Sequence, residues 1–185
     1  MVSNTDRTWG WPAKLLHWIA AAAVLILLVH GWWMTHMLPR PERLANYAWH
    51  AALGYDLVAL LVLRLLWRWS NTVPALPTDL KPWERWAAHA GHAGLYVLML
   101  ASALTGWALV GTLRNPLDTD LFGIKIPLIY ASRDRTMHNL FEESHLVLSY
   151  LLAVLIVVHL AAALWHHLVK RNDVLARMIW GPSRG

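Results

Sequence analysis

The chain contains no cysteine. That excludes disulfides, iron–sulfur clusters, thiolate zinc sites and any haem attached covalently through a C-x-x-C-H run. Charge is also scarce: Asp, Glu, Lys and Arg make up 15% of the 185 residues, against 57% hydrophobic. A soluble average carries roughly 25% charged residues. The length suits one domain, here taken as 1–185, and the composition is that of a membrane protein. The net charge is +5, but the basic residues flank apolar runs and form no basic face. They read as membrane orientation signals, and nucleic-acid binding is not expected.

What is present is a series of four apolar runs. The first predicts a helix over about 12–35, with Pro12 in the first turn. It is too long for a cleaved signal segment and should remain as a span. A link over 37–43 with Pro39 and Pro41 is expected to end it, before a second helix at about 44–67. A loop with Pro74, Pro77 and Pro82 precedes a third helix at about 83–110. The longest connection, 111–139, carries an apolar patch over 122–129 that is too short to cross a bilayer. A fourth helix is expected at about 140–169, followed by a basic tail over 170–185. The fold class is therefore all-α, an integral membrane four-helix bundle. Four spans put both termini on one side, which holds ten of the sixteen Lys and Arg, so the termini are expected to be cytoplasmic. Tryptophans near the span ends, such as Trp11, Trp32, Trp67, Trp83 and Trp165, fit an aromatic belt.

The fourth run carries the sharpest signal, His145 and His159, fourteen residues apart. On a helix that is roughly 21 Å of rise and about forty degrees short of four turns, so both imidazoles point the same way at two depths. A single intramembrane histidine is commonly a packed residue bonded to a backbone carbonyl. A same-face pair, accompanied by histidines near the ends of the other helices, points instead to two haems, one above the other. The outer partner of His145 must come from His30, His36 or His50, and the inner partner of His159 from His17, His89 or His92. Spacing leaves these open. Gly31 lies fourteen residues after His17, and Gly106 fourteen after His92, which leaves room for a flat macrocycle. Asp56, deep in the second run, is expected to have a partner, with His30 the candidate.

The segments Leu15-Leu16-His17-Trp18, Trp49-His50-Ala51-Ala52-Leu53-Gly54 leading to Arg64, Ala88-His89-Ala90-Gly91-His92, then His145, and His159-Leu160-Ala161-Ala162-Ala163-Leu164-Trp165-His166-His167 resemble the bacterial cytochrome b561 family. The Asn115-Pro116 and Pro127-Leu128-Ile129-Tyr130-Ala131-Ser132 stretches add to the likeness, which covers nearly the whole chain. Asp56 departs from it. The resemblance implies two haems b, bound by His17 and His159 on the cytoplasmic side and by His50 and His145 on the periplasmic side. It further implies a superoxide oxidase of the bacterial inner membrane, passing electrons from superoxide to ubiquinone. His166, Trp18, His89 and His92 are the candidates for the quinone site. Arg43, Arg114, Lys125 and Arg133 are candidates for a basic rim that guides superoxide. No obligate protein partner is expected beyond membrane lipid. Competing readings are an electron-transfer cytochrome b subunit of a hydrogenase- or formate-dehydrogenase-like complex, and a metal or proton pathway in a small transporter.

Overall fold

The computed structural model describes residues 1–113, 117, 120–121 and 124–179. Four long helices dominate: α1 (Trp11–His36), α2 (Arg40–Ser70), α3 (Pro82–Val110) and α4 (Arg135–Leu168), with a short α5 (Ala176–Ile179) after them. Each of the first four is long and apolar enough to cross a membrane, as expected of an all-α membrane bundle. Between α3 and α4, β1 (Asp120–Leu121) and β2 (Ile124–Lys125) pair antiparallel, Asp120 opposite Lys125.

Two helix starts come earlier than the sequence expectation, and α2 also runs three residues past its expected end, to Ser70. The α2 helix starts at Arg40, before Pro41. A proline in the first turn gives up an N–H that has no intrahelical partner there, so it opens the helix instead of delaying it. The α4 helix starts at Arg135, where the Asp134 carboxylate accepts from Thr136 N at 2.7 Å and Met137 N at 3.3 Å. That cap satisfies N–H groups the first turn leaves open.

The bundle is built as two hairpins. α1 packs along α2 and α3 along α4, with α2 and α3 joining them, whereas α4 makes little close backbone approach to α1 or α2. The core is correspondingly thin: Ala20, Ala23, Val24, Leu27, Leu57, Leu61, Met99 and Leu152, all near mid-span. Most other apolar side chains on these helices face outward, as lipid contact requires.

At the end holding both termini, three segments are tied together. Asn4 Nδ2 donates to the Thr72 carbonyl at 2.9 Å, and Arg177 Nη1 donates to the Ala75 carbonyl at 2.7 Å. Lys170 binds Glu84, whose other oxygen accepts from Lys81 N at 2.8 Å. The residues after α4, expected as a basic tail, form a strap across this end as far as Ile179.

Candidate haem site

The four helices share one register. Fourteen residues separate His17 from Gly31, His50 from Arg64, His92 from Gly106, and His145 from His159. Halfway along each interval stand Val24, Leu57, Met99 and Leu152, with relative exposures of 6%, 3%, 8% and 3%. Seven residues are close to two helical turns and about 10 Å of rise. Each helix thus supplies one residue to each of three layers. The outer layer holds Gly31, His50, Gly106 and His145. The middle layer is apolar and closed. The inner layer holds His17, Arg64, His92 and His159.

In the outer layer the His50 and His145 rings face one another, centroids 6.1 Å apart and planes at 87°. Two imidazoles bound to one iron, each through a bond of about 2 Å, stand at about this separation. His145 Nδ1 donates to the Ser102 carbonyl at 2.8 Å. That bond fixes the tautomer that leaves Nε2 as a ligand, the usual arrangement around a metal-binding histidine. Ser102 Oγ in turn bonds Ser149 Oγ at 3.0 Å. No sequence signal marks Ser102, because its acceptor is backbone.

The glycines are where room is needed. A Cβ at Gly106 would stand 3.0 Å from His145 Cε1 and 3.1 Å from its Nδ1, and one at Gly31 would stand 3.2 Å from His50 Cε1. Gly54, one turn inward of His50, meets nothing within 4 Å. The rings are held close to α1 and α3 while space stays open beside them. His50 Nδ1 and His17 Nδ1 are buried without a hydrogen-bond partner. Facing imidazoles, a fixed tautomer, glycine clearance and thin contact between α4 and the α1–α2 hairpin fit a flat, bis-histidine macrocycle. Among the described residues no group of three or more His, Asp or Glu converges as a conventional metal site.

The other outer candidates are turned elsewhere. His30 Nε2 donates to Asn46 Oδ1 at 3.1 Å, and its ring stacks on His50 at 5.8 Å. It stands behind His50 and away from His145. His36 bonds the Trp32 carbonyl at 2.8 Å and stacks on that indole. Asp56, expected to pair with His30, has no hydrogen bond or ion pair with another described residue; Asn46 takes the place it was given.

The inner layer is more crowded. The His92 ring meets the His159 ring at 5.4 Å and 67°, while His17, Arg64, His92 and His159 lie within electrostatic reach of one another. The Arg64 guanidinium lies 5.5 Å from the centre of the Tyr96 ring. The four quinone candidates divide into two pairs. Trp18 Nε1 donates to the Met178 carbonyl at 3.0 Å, and His166 Nδ1 accepts from Asn172 at 3.1 Å, so both are held by the C-terminal strap. His89 and His92 instead line a cavity of about 220 Å³ between α2 and α3.

At the outer end a larger cavity, about 600 Å³, is lined by Thr112, Arg133, Asp134, Arg135, His138 and Glu142 among others. His138 lies seven residues before His145 on the same face of α4. It pairs with Thr112 Oγ1 at 2.7 Å. Of the expected basic rim, Arg133 lines this cavity, whereas Arg43 Nε donates to the Leu38 carbonyl at 2.9 Å. Lys125 lies in β2, and Arg114 falls outside the described residues.

Comparison with known proteins agrees with this geometry. Residues 8–181 match the family model for prokaryotic cytochrome b561. The chain is 29% identical to cytochrome b561 homolog 2 of Escherichia coli K12, over 96% of this chain and 94% of that protein. It is 25% identical to a probable superoxide oxidase CybB of Yersinia pestis, over 89% and 91%. It is also 26% identical to a probable Ni/Fe-hydrogenase B-type cytochrome subunit of Rhizobium leguminosarum bv. viciae, over 92% and 85%. A bundle of four apolar helices with facing intramembrane histidines, matched almost end to end, makes this chain a member of the prokaryotic cytochrome b561 family, multi-pass membrane proteins that bind haem b and transfer electrons.

Proposed function

We propose that the chain holds two haems b, one at each histidine layer, and moves electrons from superoxide at the periplasmic face to ubiquinone in the membrane. The observation that carries this reading is the register itself, with paired histidines above and below one closed apolar layer. His50 and His145 are the ligands at the outer layer, and His17 and His159 at the inner. The excess of Lys and Arg that the sequence assigns to the side of the termini supports placing that side in the cytoplasm, in the bacterial inner membrane.

Held by His50 with His145 and by His17 with His159, haem b would supply a one-electron iron couple, and two histidines to each iron would suit electron transfer over oxygen binding. His145, fixed by the Ser102 carbonyl, keeps its ring aligned through that cycle. Two superoxide anions each lose one electron and leave as dioxygen. One ubiquinone takes both electrons and two protons to become ubiquinol. Arg133, with Arg135 beside it on the outer cavity, attracts the anionic substrate, and the Asp134 and Glu142 carboxylates there moderate that field.

The test is an anaerobic pulse of superoxide on the purified chain, followed through the haem visible bands, then addition of ubiquinone. Rapid haem reduction and quinone-dependent reoxidation are expected. Bands that ignore superoxide would favour the second reading, an electron-transfer subunit of a larger complex. The similarity to hydrogenase B-type cytochrome subunits speaks for that reading, and co-purification of a partner would expose it.

A further inference from the structure

The cavity between α2 and α3 is lined by Leu65, Arg68, Trp69, His89, His92 and Tyr96, with Ala93 completing it. At about 220 Å³ it suits a single substituted ring better than a drug-sized ligand, whose pockets start near 300 Å³. It lies on the inner half of the membrane, and its wall includes His92, whose ring touches His159. Trp69, which also lines it, is 77% exposed.

The charge in this wall is unbalanced. Arg68 stands one turn beyond Arg64 and makes no hydrogen bond or ion pair with another described residue. At the same end of the bundle Glu84 pairs with Lys170 and Asp173 with Arg177 at 2.8 Å, while Asp79 accepts from Asn172 at 3.2 Å; none of them pairs with Arg68. Arg64 faces Tyr96. In the last turn of α2, at the inner end of the span, Arg68 reaches water but is left able to meet an anion that arrives from outside the chain. A neutral quinone needs no such cation; a quinone that has just gained an electron does.

We propose that this cavity is the quinone site and that Arg68 holds the negative charge on the quinone oxygen after the first electron arrives. The inference rests on the electron-transfer reading above and assigns the exit for its electrons. Reduction then balances with a second electron by the same route and two protons from water at the terminal end. A cation fixed beside an oxygen that becomes charged only during reaction lowers the barrier without tightening the ground state.

The test reduces the full-length, haem-loaded protein with dithionite, removes the excess, and follows reoxidation by a short-chain ubiquinone in stopped flow. Arg68→Gln is expected to slow the saturated reoxidation rate by at least about 10-fold, the low end of what loss of one such group costs. Arg68→Lys should recover part of it, and Lys81→Gln, on the surface at the same end, should be normal. An unchanged rate in Arg68→Gln, or an effect only on the half-saturating quinone concentration, overturns the assignment. So does a shifted haem potential before quinone is added, which would make Arg68 a partner of the haem, or loss of bound anionic phospholipid with normal quinone kinetics. Chemical reduction bypasses superoxide. A protein that ignores superoxide but loses quinone reoxidation in Arg68→Gln would therefore refute only the superoxide half of the function.

Discussion

The outer and inner layers occupy equivalent positions on the same four helices, yet they are built from different residues. The outer layer has two histidines and two glycines, so each ring stands against a helix with no side chain in the way, and only one facing pair is available. The inner layer has no glycine; it has three histidines and an arginine. One layer specifies a geometry by leaving space. The other crowds polar groups around His159, and His92 beside it lines the cavity between α2 and α3. Under the proposed function the difference has a reason: a layer that takes electrons from a small anion needs fixed ligands, and one that hands them to a bulky, proton-requiring acceptor needs charge and access.

The most severe test of this contrast is removal of a ligand. His145→Ala is expected to lower haem content from two per chain to one, read by haem-to-protein ratio, with the inner haem spectrum retained. His159→Ala should do the converse. Next comes the choice within the inner layer. His17→Ala should lose the inner haem, and His92→Ala should keep both while shifting the inner potential. Loss of a haem in His92→Ala with retention in His17→Ala would exchange the roles of these two residues. A smaller effect is expected from Gly106→Ala, whose new methyl would press on His145. It should weaken outer haem retention by about 10-fold or more, as disturbance around a metal ligand commonly does, and Gly31→Ala should do so less, because its contact is longer. The smallest effect belongs to neither layer. Asp56→Asn removes an intramembrane carboxyl without a partner among the described residues, and thermal unfolding should show a slight gain in stability with both haem potentials unchanged.

The layered register was largely legible in the sequence, because a fourteen-residue spacing on a helix is geometry: the pairs His17 and Gly31, His92 and Gly106, and His145 and His159 can be read directly. The choice of His50 over His30 and His36 could not be read that way. It depends on Asn46 and Trp32 turning those two rings aside, and hydrogen bonds between neighbouring turns leave no periodic trace. Ser102 was invisible because it acts through its carbonyl. The strap was missed for another reason. Its bonds to Ala75, Asp79 and Glu84 join residues about ninety positions apart, and composition alone described those residues only as a basic tail.

The middle layer carries a consequence of its own. Val24, Leu57 and Leu152 close the bundle with side chains that have no polar atom, and Met99 adds only a weakly accepting thioether. An electron can cross such a layer without a carrier atom, whereas an ion finds few polar partners there. Under the proposed function, electrons would pass between the two histidine layers across a barrier that gives ions little to bind.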